Sequence, residues 1–210
     1  MSTQIGRIAR RPSRAQTRRR RLSAFAGAAA LAAVIVAILA GVGPLGDAVR
    51  EIATLPLRHD DIIRQQAADK DLDASLIAAV IYEESRFRDQ TSHAGARGLM
   101  QITPDTANFI ASHTGGVRFK QSDLATPQIN IAYGSWFLRY LHDHYDGREE
   151  AALAAYNAGI TNVDDWVRRA GGADQFEVEH IRFPETRAYV ENVLERRGEY
   201  RDHYAKDLGL

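Results

Sequence analysis

Residues 74–101 read ASLIAAVIYEESRFRDQTSHAGARGLMQ, an apolar segment followed by a loop with two glycines, and this stretch decides the fold of the chain. Asp73 stands directly before it and is a residue type that caps helix N termini. The apolar side chains recur at spacings of three and four residues, which is the pattern of a helix with one buried side. They are Leu76, Ile77, Val80, Ile81 and Phe87. The stretch therefore predicts a core helix that starts after Asp73 and buries one side as far as Phe87.

Glu84 is the acidic residue that this helix would place nearest the middle of its apolar side. At about 100° per residue, Glu84 lies roughly 20° from the centre of the apolar arc, whereas Glu83 lies about 80° away. A carboxylate on a buried side is costly to ionise, so it holds its proton to higher pH, as a general acid must. Spacing alone also allows a solvent-facing Glu84 that pairs with Arg86 or Arg88.

Four short motifs occur in order along the chain. Residues 84–87 read ESRF, residues 98–101 read GLMQ, residues 155–159 read AYNAG, and residues 183–190 read FPETRAYV. Together they resemble the motifs of the soluble lytic transglycosylase family, the lysozyme-like enzymes that cut peptidoglycan. The resemblance covers roughly residues 58–200. It implies a lysozyme-like catalytic domain that acts on peptidoglycan glycan strands.

The resemblance also implies a role for each matching residue. Glu84 matches the catalytic acid, and the hydroxyl of Ser85 beside it is expected to hydrogen-bond the carboxylate. The hydroxyl of Tyr189 is expected near Glu84. The substrate-binding or positioning residues are Ser85, Met100, Gln101, Tyr156, Asn157 and Tyr189. Core packing remains the alternative for Met100, Tyr156 and Tyr189, and a helix C-terminal position remains the alternative for Asn157.

The motifs supply a single catalytic carboxylate, whereas ordinary glycosidases flank the scissile bond with two. Glu83 lies at the rim of the arc and departs from the family pattern, which more often has an uncharged or basic residue there. Neither Glu185 nor Asp105 is an obvious second group. In the family, one glutamate protonates the bond between N-acetylmuramic acid and N-acetylglucosamine and then deprotonates the C6 hydroxyl, leaving a 1,6-anhydro sugar. The alternatives are a hydrolytic muramidase and a catalytically silent glycan-binding membrane protein.

The amino-terminal end combines a basic tail with a long apolar run. Eight arginines precede residue 22, and no acidic residue occurs before Asp47. Residues 23–42 carry no charge and, at about 1.5 Å per residue, would span roughly 30 Å of hydrocarbon. We expect a cytoplasmic tail at 1–22, a transmembrane helix at 23–42, a juxtamembrane stem at 43–57 and the catalytic domain at 58–205. The arginines predict that this domain lies on the outer side of the membrane.

Other interpretations of the amino-terminal end remain open. The basic-then-apolar order also fits a cleaved secretory signal, although the usual apolar core is shorter, about 7 to 15 residues. Residues 17–22 loosely resemble a twin-arginine export signal. The arginines at 18–21 could bind nucleic acid, but the adjoining apolar run favours anionic lipid headgroups, so no nucleic-acid partner is expected. The absence of cysteine fits export and cytosol equally.

The seven histidines form no recognisable metal-binding pattern. His142 and His144 are two residues apart on a predicted helix and therefore point to different faces. Ser85 lacks the Gly-x-Ser-x-Gly surroundings of a nucleophilic serine. We expect neither a metal nor a cofactor.

Helix start and stop signals divide the rest of the chain. Proline follows threonine at residues 103–104 and 126–127, which favours helix starts, and glycines mark several ends. The predicted helices cover residues 60–68, 103–112, 126–145, 148–157, 161–169 and 184–204. Because no segment shows the alternation of a strand, the fold class is all-α or nearly so.

Overall fold

The computed structural model describes residues 55–115 and 119–210. Short 3-10 turns connect some of its helices, and β pairing in these two ranges is limited to isolated bridges that join Thr91, Arg97 and Ile102. The helices are α1 (Asp60–Lys70), α2 (Ala74–Ser85), α3 (Pro104–Thr114), α4 (Pro127–His144), α5 (Glu149–Ala158), α6 (Ile160–Ala170) and α7 (Pro184–Leu208). The all-α prediction is confirmed for this part of the chain.

The predicted capping signals set the helix starts. The side chain of Asp73 accepts a hydrogen bond from the Ser75 N–H at 2.8 Å, which caps α2. Thr103 caps α3 in the same way through the Thr106 N–H at 3.2 Å. The predicted helix bounds lie within four residues of those in the structure. The sequence signals were therefore sufficient to locate the helices.

α2 is enclosed on every side by the rest of the core. All residues from 74 to 81 are buried, including three alanines whose small side chains let neighbouring helices approach closely. The predicted burial of one side only is therefore wrong. The helix also ends at Ser85, because the buried Phe87 has a φ of +59°, which is not helical. Glu84 thus occupies the last turn of the helix, after the fully buried residues 74–81 and among partly exposed side chains.

α7 packs along α2 in the antiparallel sense. Its Arg201 pairs with Asp73 at the start of α2, while its Tyr189 lies beside Glu84 at the end. Asp73 therefore caps α2 and also joins it to α7.

The same long helix holds the chain that precedes α1. The hydroxyl of Tyr200 donates to the Pro56 carbonyl at 2.7 Å, and that of Tyr204 donates to the Leu55 carbonyl at 2.6 Å. Leu55 and Leu57 pack against the core. Residues 55–57, which the sequence predicts to be part of the juxtamembrane stem, are thus bonded to the helical domain.

The predicted cytoplasmic tail at 1–22, the transmembrane helix at 23–42 and most of the stem lie outside the described residues. Among the helices of residues 55–115 and 119–210, none has both the length and the hydrophobicity to cross a membrane.

Candidate active site

The backbone leaves α2 through two consecutive left-handed residues. Arg86, at φ +52°, ends the helix, and its N–H donates to the Tyr82 carbonyl at 2.8 Å. Phe87 follows at φ +59° with a side chain that is 2% exposed. This conformation costs a residue with a side chain roughly 1–2 kcal/mol, a cost that burial of the phenyl ring offsets. The turn leads the chain away and leaves Glu84 partly exposed at the helix end.

Two tyrosines from different helices lie beside the Glu84 carboxyl group. Tyr189 of α7 interacts with it through its hydroxyl, and Tyr156 of α5 lies close enough that the charge of Glu84 raises the pKa of the phenol. The Tyr189 hydroxyl is buried and has no partner of good hydrogen-bond geometry among the described residues. It is therefore placed to bond Glu84 or a ligand after a small adjustment.

Burial raises the pKa of Glu84 to about 7. The Tyr189 hydroxyl acts in the opposite direction, and the neighbouring charge of Glu83 raises the pKa further. A carboxyl group with this pKa is about half protonated at neutral pH, whereas an ordinary glutamate is ionised. Glu84 can consequently donate or accept a proton near neutrality.

Asn130 of α4 fixes the loop that carries the GLMQ motif. Its side chain is fully buried, and its Oδ1 accepts from the Met100 N–H at 2.7 Å. Its Nδ2 donates to the carbonyls of Arg97 at 2.9 Å and Leu124 at 3.0 Å. Because a buried amide costs free energy unless its groups are bonded, these three bonds define one position for the loop.

The AYNAG motif connects this loop to the last motif. The hydroxyl of Tyr156 donates to the Met100 carbonyl at 2.9 Å. Asn157 is exposed, and its Oδ1 accepts from the hydroxyl of the buried Thr186 at 2.7 Å. The four motifs, far apart in sequence, therefore meet around Glu84.

Two of the expectations for these motif residues differ from the structure. Ser85 does not bond the Glu84 carboxylate, because its hydroxyl lies 2.7 Å from the Leu99 carbonyl and 3.2 Å from the Ile81 carbonyl. It positions the GLMQ loop instead. The side chain of Met100 is 0% exposed and packs on Gly134, so the expectation that it faces the substrate is wrong.

Gln101 is partly exposed, but its amide group is committed to the loop. Its Nε2 donates to the carbonyls of Gly98 at 2.7 Å and Gln90 at 3.1 Å. In this structure Gln101 therefore stabilises the loop beside Glu84.

Where histidine side chains in the described ranges form hydrogen bonds, their partners are residues other than Glu84. The Nε2 atom of His144 lies 3.0 Å from the Oδ1 atom of Asp164, which joins α4 to α6. Residues 55–115 and 119–210 contain no group of three histidine or acidic side chains placed to bind a metal ion.

Three residues that build this site were missed in the sequence: Asn130, Thr186 and Arg196. Asn130 had a usable signal, because it precedes Gly134 and Leu138 by four and eight residues and so shares their buried side of α4. Thr186 lies within a recognised motif, but its contact with Asn157 depends on how α5 and α7 pack. Arg196, described below, had no local signal, since it lies in a run of charged residues of α7 with no apolar pattern to distinguish it.

Glu84→Gln is expected to change how stability depends on pH. Because the folded pKa of about 7 exceeds the ordinary value of 4.5, proton binding favours the folded state. The free energy of unfolding of the wild type should therefore fall, relative to that of the glutamine variant, as pH rises from 4.5 to about 7. Above about pH 7 the difference should stay constant. Urea unfolding at pH 5 and pH 8 measures this, with Glu83→Gln as the control. An equal stability difference at both pH values would contradict it.

Comparison with known proteins places this chain among related sequences and structures. The profile described as Transglycosylase SLT domain matches residues 61–178. Soluble lytic murein transglycosylase from Salmonella typhimurium is 35% identical over 164 residues, which are 76% of this chain and 25% of that protein. Membrane-bound lytic murein transglycosylase F from Pseudomonas fluorescens is 34% identical over 115 residues, 51% of this chain and 22% of that protein.

A solved structure gives the same result for the fold. It is an inactive glutamate-to-glutamine mutant of lytic transglycosylase Slt from Pseudomonas aeruginosa, with a TM-score of 0.64 and 34% identity. The match covers 70% of this chain and 24% of that one. The chain thus spans about a quarter of the length of these relatives. Since the profile match extends over more than half of its residues, the chain belongs to the transglycosylase SLT domain family.

Proposed function

We propose that the protein is a peptidoglycan lytic transglycosylase in which Glu84 serves as the single acid and base. It would cleave the β-1,4 bond between N-acetylmuramic acid and N-acetylglucosamine. The observation that carries this proposal is a partly exposed carboxyl group at the end of a buried helix, with its pKa raised to about 7 and two tyrosines beside it.

A single group with this pKa suits both halves of the reaction. Protonated Glu84 would donate to the glycosidic oxygen as the bond breaks, and the resulting carboxylate would accept the proton of the C6 hydroxyl as that oxygen attacks C1. The proton count is balanced, because the proton given to the leaving sugar is replaced by the one taken from C6. An internal nucleophile needs no positioned water, which favours the 1,6-anhydro product.

The other carboxylates support a mechanism with one catalytic group. Among the described residues, only Glu83 is close enough for its charge to shift the pKa of Glu84. Glu83 is itself paired with Arg196 on α7. Asp105 and Glu185 are exposed at the starts of α3 and α7. A hydrolytic muramidase with two carboxylates is therefore the less favoured candidate.

The relatives support the same activity for this chain. The Salmonella protein is named a soluble lytic murein transglycosylase, and the Pseudomonas structure is an inactive mutant made by changing one glutamate to glutamine. We carry over from these names the substrate, murein, and the need for a glutamate, which we assign to Glu84.

Digestion of purified peptidoglycan sacculi tests the activity. The full-length protein is expected to release soluble muropeptides, at a rate that falls as pH rises through about 7, because Glu84 then loses its proton. Binding to sacculi with no release would instead support the catalytically silent alternative.

We also propose that residues 23–42 anchor the protein in the cell membrane, with residues 1–22 in the cytoplasm and the catalytic domain outside. The charge-free run after eight arginines supports this topology. Protease added to the outer face of the membrane is expected to cleave the catalytic domain and spare the tail. Cleavage only after the cytoplasmic side is opened would refute this topology, and a mature chain lacking residues 1–42 would indicate a cleaved signal.

A further inference from the structure

Glu83 and Glu84 are neighbours at the end of α2, and they have different surroundings. Glu84 lies beside Tyr156 and Tyr189, whereas Oε1 of Glu83 lies 3.6 Å from Nε of Arg196. The Glu83 side chain is only 17% exposed, so solvent screens its charge poorly. Two adjacent carboxylates at a helix end repel each other, and the charge of Glu83 raises the pKa of Glu84. A positive charge paired with Glu83 is therefore expected to influence the protonation of Glu84.

Arg196 is held in place by contacts on both helices. Its Nη1 bonds Glu199 one turn later on α7, and its guanidinium group lies over the Tyr82 ring of α2, 5.6 Å from the ring centre. Its Nε is buried and has no hydrogen-bond partner among the described residues. That N–H is close to the Glu83 carboxylate but slightly beyond hydrogen-bond distance. The attraction between them acts in a poorly solvated place, where it is stronger than at an open surface.

We propose that Arg196 is a positioning residue for the reaction at Glu84: it holds the Glu83 carboxylate against α7 and offsets its charge. The inference rests on the proposed function of Glu84. The titratable and charged groups around the pair are Tyr156 from α5, Tyr189, Arg196 and Glu199 from α7, Tyr82 on α2 itself, and Arg86, whose guanidinium group also lies over the Tyr82 ring, 5.3 Å from the ring centre. Of the two arginines, Arg196 is the one that forms an ion pair with Glu83. Removing it leaves Glu83 uncompensated and free to turn toward Glu84.

A titration of the Glu84 carboxyl carbon by NMR tests the inference without depending on activity. The full-length ¹³C-labelled protein is used, and the Glu84 signal is assigned by its loss in Glu84→Gln. Arg196→Gln is expected to raise the titration midpoint by about half a pH unit, because the field of Glu83 then acts without its counterion. Arg196→Lys keeps the charge and is expected to return the midpoint most of the way to the wild-type value. The alkaline limb of the cleavage rate should move in the same direction.

A double-mutant cycle identifies Glu83 as the group through which Arg196 acts. In a Glu83→Gln background, Arg196→Gln is expected to shift the midpoint by less than half as much. An equal shift in both backgrounds, or no shift in a folded Arg196→Gln variant, would overturn the proposal.

Glu199→Gln is the second variant in case Arg196→Gln does not fold. It removes the competing partner of Arg196 and is expected to lower the midpoint, so a rise would also overturn the proposal. Failure of the wild type to cleave peptidoglycan would overturn the proposed function instead, and the sacculi assay detects that failure separately from the titration.

Discussion

Glu84→Gln is expected to reduce the rate of peptidoglycan cleavage by about 10²- to 10⁴-fold, toward the upper end because one group performs both proton transfers. The amide has nearly the shape of the carboxyl group but can neither deliver nor recover a proton. Since Glu84 lies at the end of α2 and is partly exposed, the helical domain should remain folded. Muropeptide release from sacculi measures the rate, and sedimentation with sacculi measures the binding that should persist.

Glu83→Gln is the matched control for this substitution, because it makes the same change one residue earlier. Glu83 affects Glu84 through its charge, so the control should alter the rate only modestly and should move the alkaline limb of the pH profile downward. If cleavage survived Glu84→Gln but disappeared with Glu83→Gln, the assignment of the catalytic acid would be wrong.

Gly98→Ala is expected to destabilise the domain by about 2–5 kcal/mol and lower its Tm by roughly 10 °C. Gly98 has a φ of +79°, which disfavours any side chain. A Cβ there would overlap the amide group of Asn130 and would lie 2.6 Å from the Leu124 carbonyl oxygen. Since Asn130 also bonds Met100 and Arg97, the GLMQ loop beside Glu84 would have to move. Thermal unfolding followed by circular dichroism gives the size of the effect.

Gly95→Ala separates the two causes of this loss. Gly95 lies in the same loop at a φ of +81°, but a Cβ there meets only ordinary contacts, 3.8 Å from Pro104. We expect it to cost about 1–2 kcal/mol, the backbone contribution alone. Equal effects of Gly95→Ala and Gly98→Ala would mean that the contact with Asn130 does not constrain the loop.

Helix positions could be predicted from this sequence because their causes are local. Asp73, Thr103 and the prolines that begin α3, α4 and α7 act within one turn. The prediction that α2 buries only one side failed for a non-local reason. Its outer side is covered by helices more than a hundred residues away in sequence, such as α7, and spacing within one helix carries no information about them.

The same distinction explains which parts of the site were predicted. The motifs located Glu84, Tyr156 and Tyr189 because residues that match the motifs of one family are expected to lie close together in the same fold. The bonds of Ser85 were not predictable, because two acceptors compete for its hydroxyl. They are the neighbouring carboxylate and the Leu99 carbonyl, which the loop brings close. Arg196 is the extreme case, because its contact with Glu83 depends entirely on the antiparallel packing of α7 against α2.

The most direct test of single-residue catalysis by Glu84 is the mass of the products that the wild-type protein releases from purified peptidoglycan. A glutamate that gives a proton to the leaving sugar and takes one from the C6 hydroxyl must leave 1,6-anhydro-N-acetylmuramic acid at the new end. We predict muropeptides that lack a reducing end and are one water lighter than hydrolytic products. Muropeptides with a free reducing end, one water heavier, would contradict this mechanism and indicate a muramidase.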